Sequence, residues 1–220
     1  MTASDAPSAR TTVKRHPERA VYDRDAIEAI LDEALVGHLG FVVDGAPFVM
    51  PTMYARRGDR VFLHGAVASR MLRSARDGAG VCFTVTLLDG VVLARAVFTH
   101  SMNYRSVVIL GRPVEVTDRD EKMSAMEALV EHVCRGRWAD ARWPTDKELG
   151  ATTILALDLT EASAKVRAGG PKDVEEDMAG SVWAGHVPIQ LAALAPVASP
   201  DLAAGTPAPD YARDYHRPGR

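Results

Sequence analysis

Residues 61–112 read VFLHGAVASRMLRSARDGAGVCFTVTLLDGVVLARAVFTHSMNYRSVVILGR, and the fold turns on how this stretch is read. Val61 to Leu63 is a short apolar strand that ends at His64-Gly65. Ser69-Arg70 then opens a short helix that runs through Met71 and Leu72 to a stop at Asp77-Gly78. Two strand-like runs follow, Val81 to Leu88 and Val91 to Thr99, with Asp89-Gly90 between them. Asp-Gly readily supplies the positive φ angles of a type I′ turn, so the pair predicts a hairpin. Arg105 to Leu110 is a further strand, closed by Gly111. A strand that hands over to a short helix at Ser69-Arg70 has the makings of an anion seat. The first amides of a helix are unpaired and carry partial positive charge, and arginine adds a bidentate fork.

On either side of this stretch the pattern is one of short strands. Residues 1–20 are rich in Ser, Thr, Ala, Pro and charge and read as a mobile arm. Asp23 caps a helix whose stripe is Ala26, Ile27, Ile30, Leu31, Ala34 and Leu35, with Gly37 ending it. His38 to Val43 and Pro47 to Tyr54 are strands joined at Asp44-Gly45, and a further turn falls at Arg57-Gly58-Asp59. Asp118, followed three residues later by Glu121, begins a helix carrying Met123, Met126, Leu129, Val130 and Val133, which Gly136 ends. Thr152 to Leu159 is a strand. Lys165 and Arg167 alternate along the next one, facing solvent, a cleft or the acidic loop 172–178. Residues 191–220 are Ala, Pro and polar groups without periodicity and read as a loose or wrapping tail. Short strands at intervals of about ten residues indicate a barrel or sandwich rather than repeated βαβ units.

Size and charge narrow the classes. The 220 residues suffice for one well-buried domain. A formal charge of −3 gives no electrostatic reason for nucleic-acid binding. No apolar run is long enough for a membrane span, and the N-terminus lacks the apolar centre of a signal peptide, so a cytoplasmic location is expected. Cys82 and Cys134 sit far apart in apolar contexts and read as buried thiols. There is no GxGxxG after a strand, no GxxxxGK[ST], no HExxH, no CxxC and no GxSxG. No two histidines stand at metal-ligand spacing, so no metal is expected.

Taken in order, LHGAVASRMLR, VCFTVTLLDGVVLARAVF, HSMNYRSVVILGRP, GRWADARWPTDKELGATTILALDLTEASAKVRAGGPKD and VWAGHVPI resemble the pyridoxamine 5′-phosphate oxidase-like superfamily of FMN-binding split barrels. Within it they resemble the branch of nitroimidazole-resistance and flavin-nucleotide-binding proteins. The resemblance covers residues 21–190. It implies a mainly β fold with peripheral helices, a six-stranded antiparallel split β-barrel, in a homodimer with FMN between the subunits. It places the flavin phosphate against Ser69 and Arg70. Arg105 and Ser106 match the step that contacts phosphate or ring in relatives, although the family oxidases have Gln where Ser106 stands. Asn103 and Tyr104 line the same cleft or serve as packing, and Thr52, Met53 and Tyr54 run beside the ring through their backbone. Relatives keep a His near the flavin where His64 stands, which implies a proton-transfer role for it, with an ordinary structural His as the alternative. Trp183 covers a flavin edge or packs in the core. The function implied is an FMN-dependent oxidoreductase that reduces nitro or quinone-like small molecules with NAD(P)H. The alternatives are a flavin-nucleotide-binding protein without turnover, or a member that handles deazaflavin F420 or haem. The Arg-x-His element of the vitamin B6 oxidases is not evident; His216-Arg217 comes too late for it.

Overall fold

The computed structural model describes residues 6–78 and 80–216. In chain order the elements are β1 (Ala20–Val21), α1 (Arg24–Glu33), β2 (Val36–Val43), β3 (Ala46–Arg57), β4 (Arg60–Ala66), α2 (Arg70–Asp77), β5 (Val81–Leu93), β6 (Ser101–Gly111) and β7 (Val114–Glu115). They continue with α3 (Arg119–Val133), α4 (Arg137–Asp140), α5 (Asp146–Gly150), β8 (Thr152–Asp158), β9 (Ala162–Arg167), α6 (Glu175–Met178), β10 (Gly185–Pro188) and α7 (Asp210–Arg213). Residues 1–5 of the expected arm and 217–220 of the expected tail, Arg217 among them, lie outside the described residues.

Local chemistry sets these boundaries. Asp23 accepts the Ala26 amide at 3.0 Å, and α1 then buries Ile27, Ile30 and Leu31 on one face. It stops at Glu33, short of Gly37. Asp44 and Gly45 both take positive φ, 50° and 79°, as a tight β2–β3 hairpin requires. Asp118 accepts the Glu121 amide at 2.8 Å and starts α3, whose Met126 packs against the cluster of Phe62, Val116, Ala125, Ile154 and Ala156.

Among the described residues ten strands form an antiparallel sheet in the order β1-β9-β6-β5-β2-β3-β4-β8-β7, with β10 added at β5. This overturns the six-stranded barrel expected from the sequence. The sheet is not closed: β1 and β7 end the path without pairing with each other. Both end strands have two residues. Asp23 turns the chain into α1 just after β1, and Pro113, which has no N–H to donate, stands before β7. With seven helices beside the sheet among the described residues, the architecture is mixed α/β rather than mainly β.

Asp89-Gly90 is a second correction. It does not turn the chain, because β5 runs straight through it with an irregularity between Leu88 and Gly90. Gly90 takes no positive φ. A Cβ there would come within 2.8 Å of the Val187 carbonyl oxygen, so the glycine admits β10 to the sheet. The turn to β6 comes later, through a 3-10 turn at Val97–Thr99. It is braced by the Asp173 carboxylate, which accepts from the Arg95 amide at 3.1 Å and the Thr99 hydroxyl at 3.2 Å.

The main core joins α1 and α2 to the inner side of the sheet through Leu31, Leu39, Tyr54, Leu63, Leu72, Phe83, Ile109 and Leu157. Tyr54 meets the Phe83 ring edge-on at 5.0 Å, and its hydroxyl donates to the Leu31 carbonyl at 2.5 Å, so its polar end is satisfied where it is buried. Among the described residues no helix is long and apolar enough to cross a membrane.

Candidate functional site

The corner where β4 gives way to α2 is built from the sequence upward. Gly65 lets the helix approach, since a Cβ there would stand 3.0 Å from Leu72 Cδ1. Ser69 is the N-cap and its hydroxyl accepts the Leu72 amide at 3.4 Å. Arg70 follows as the first helical residue, with its guanidinium 4.8 Å from the centroid of the Phe48 ring. Among the described residues Arg70 has no carboxylate partner. Its charge therefore stands at the positive end of a helix with only an aromatic face beneath it.

His64 precedes this corner, directly across from Ile154 of β8. Its Nδ1 is buried and has no hydrogen-bond partner among the described residues. Burial pushes its pKa below the ordinary 6.5, so the ring is held neutral. A buried imidazole nitrogen with nothing to bond is the kind of group that a bound molecule completes.

The β6 residues lie elsewhere on the sheet, with β5 and β2 between β6 and β3. Arg105 is committed to acids. It donates to Glu33 at 3.0 Å through Nη2, and to Asp89 at 2.9 Å through Nε and 2.8 Å through Nη2. Its hydrogen bonds to Asp89 and Glu33 raise its pKa further. Glu33 is 5% exposed and ends α1, where a carboxylate opposes the helix dipole, so Arg105 serves the fold first. Asn103 is buried and accepts from Arg167. Tyr104 pairs across the ladder with Arg167, and the Ser106 hydroxyl donates to the Lys165 carbonyl at 3.3 Å.

On β3, the Thr52 hydroxyl donates to the Met53 carbonyl at 3.1 Å, and the Tyr54 side chain belongs to the core, leaving its backbone alone for any ligand. Trp183 is 64% exposed and lies against Gly185, ahead of β10. The chain brings Ser69, Arg70 and Phe48 to one corner, with His64 just before it on β4 and Thr52 on β3, while the Met53 side chain packs with Ala55, Ala128 and Leu129. The chain does not bring Asn103 to Ser106 or Trp183 to that corner within one copy. Sequence reasoning missed Phe48 beneath Arg70 and the two acids on Arg105. The one available signal was Glu33, a carboxylate at the wrong end of its helix. Cys82 and Cys134 are free, and burial raises both thiol pKa values. Among the described residues no cluster of three His, Cys, Asp or Glu side chains is arranged to hold a metal ion.

A flavocytochrome from Azotobacter vinelandii superposes with a TM-score of 0.91 at 39% identity, over 96% of this chain and 99% of that one. The FAD and haem binding protein of Mycobacterium smegmatis gives 0.87 at 37% identity, over 92% and 99%. A 5-nitroimidazole antibiotic resistance protein from Bacteroides thetaiotaomicron gives 0.58 at 20% identity, over 67% and 86%, which shows a shared fold alone and does not support the nitroimidazole branch. A comparison with curated proteins finds no match. The model of the pyridoxamine 5′-phosphate oxidase family matches residues 23–166. With that match over most of the chain, the protein belongs to the pyridoxamine 5′-phosphate oxidase family.

Proposed function

We propose that this chain binds a flavin nucleotide and serves in redox chemistry, with the phosphate end held by Ser69, Arg70 and the first amides of α2. One observation carries the reading. Of the two arginines the sequence singles out, Arg105 is held by two carboxylates, whereas Arg70 stands at a helix N-terminus without one. Two relatives at 39% and 37% identity are a flavocytochrome and an FAD and haem binding protein, which favours FAD over FMN as the nucleotide. The same relatives favour a flavin-binding electron-transfer protein over a dedicated reductase of nitro or quinone-like compounds.

A bound flavin supplies hydride and single-electron chemistry. The chain's own part is to hold the phosphate at Arg70, to run the β3 backbone beside the ring, and to present His64 as a neutral imidazole able to exchange a proton. Val36, Val42 and Val49 are exposed on β2 and β3, an apolar face that a second copy of the chain would cover, which supports a homodimer.

A second reading adds haem. Both relatives favour it, and the unbonded Nδ1 of His64 is a donor of the type that iron takes. The visible spectrum of the freshly purified protein, with the mass of whatever it releases, tests both readings. Flavin alone supports the first, flavin with haem supports the second, and neither cofactor overturns both.

A further inference from the structure

A cavity of about 700 Å³, within the range of small-molecule sites, lies between the end of β3, the last turns of α3 and the C-terminal segment. Arg57 on its wall pairs with Arg60, the first residue of β4, whereas the Ser69–Arg70 corner follows Ala66, the last, so the two places stand roughly 20 Å apart along that strand. Residues 191–207 are exposed throughout, and the chain then folds back to close one side of the cavity. The Tyr215 hydroxyl donates to the Val133 carbonyl at 2.8 Å, and Arg137 donates to the Tyr211 hydroxyl at 2.7 Å. These bonds hold both tyrosines on the cavity wall.

Most charges on that wall are already engaged. Arg56 is held by Asp32 through bonds of 2.8 and 2.6 Å, and Arg57 by Glu127 at 2.9 Å. Glu131 accepts the amides of Gly136 and Trp138 at 2.7 and 2.8 Å. Arg135 and Asp214 line the same cavity, yet among the described residues neither side chain has a hydrogen-bond or ion-pair partner, and they do not reach each other. His132 adds a third open position. Its Nε2 donates to the Ala34 carbonyl at 2.8 Å, so the ring, kept neutral by burial, carries its lone pair on Nδ1. An unpaired cation and an unpaired carboxylate on one cavity are completed together by a molecule that carries both charges. The Arg135 fork suits a carboxylate, Asp214 and His132 Nδ1 accept from an ammonium, and tyrosine rings pack against a flat side chain. Arg56, Arg57 and Arg135 are matched by Asp32, Glu131 and Asp214, so the wall is charge-balanced and favours a net-neutral guest over a phosphate. We infer that this cavity binds a zwitterionic α-amino acid with a flat aromatic side chain, at a site separate from the flavin's.

Calorimetric titration of L-tryptophan, L-tyrosine, L-phenylalanine and L-histidine into the purified full chain tests the site. Each is paired with its decarboxylated amine and its deaminated acid, which keep one charge apiece, and AMP supplies a phosphate. Wild type should bind at least one of the four amino acids, and both of its single-charge analogues roughly tenfold or more weakly. Arg135→Gln and Asp214→Asn should each weaken binding of that amino acid roughly tenfold or more. Both residues are exposed, so neither substitution should disturb folding. In Arg135→Gln the amine should bind as well as the amino acid, because the group that reads the carboxylate is gone. The inference is overturned when none of the amino acids binds wild type, or when either variant binds as tightly as wild type. Binding of AMP without any amino acid would make the cavity an anion site and overturn it equally.

Discussion

The Arg70 guanidinium rests 4.8 Å from the centre of the Phe48 ring, at the first turn of α2. An aromatic face steadies the cation without neutralising it, which keeps its charge for an incoming anion. Arg70→Ala should therefore weaken flavin binding roughly ten- to a hundredfold, the loss expected for a charge-assisted contact. Stability should fall by only about 0.5–1 kcal/mol, the value of an exposed cation–π pair. Titration of flavin and a denaturant melt check the two halves separately, and unchanged affinity removes Arg70 from the phosphate role.

Arg105 should behave in the opposite way. Arg105→Met takes the guanidinium away from the buried Glu33 carboxylate at the end of α1, which should cost about 3–5 kcal/mol of stability. Denaturant unfolding reads this directly. A variant as stable as wild type would show that the Glu33 pair does not hold α1 to β6.

His64 and His132 give the protein a pH dependence of known sign. Burial lowers both pKa values below 6.5. The unfolded chain therefore binds more protons than the folded one on the acid side of 6.5, and stability falls as pH drops below it. His64→Gln should flatten this slope in melts between neutral pH and about pH 5. An unchanged slope would place the acid sensitivity at other groups.

Much of the sheet was legible because its turns carry their own chemistry. Asp44-Gly45 turns because both residues take positive φ, as the sequence implies. Asp89-Gly90 has the same letters and does not turn, because β10 returns from about a hundred residues away to pair beside it, and local pattern holds no record of that pairing. The open sheet was missed for a similar reason: closure depends on β1 and β7, each two residues long and too short to register as a strand. At the site, the corner at Ser69-Arg70 was readable from a cap and a cation side by side. The acids on Arg105 were not, since Glu33 lies 72 residues from it in sequence.

Gly90→Ala is the sharpest test of that β10 pairing. The added methyl meets the Val187 carbonyl at 2.8 Å, so β10 should lift away at a cost of about 1–3 kcal/mol. Hydrogen exchange at residues 185–188 should speed up while that of β6 stays slow. Equal protection in both strands would show that the glycine is dispensable there.

The identity of the small molecule carried by freshly purified wild-type protein tests the central claim most directly. The account predicts a flavin nucleotide in stoichiometric amount, seen by its visible absorbance and confirmed by mass after release. A colourless chain that takes up neither FAD nor FMN when each is supplied in excess would contradict it.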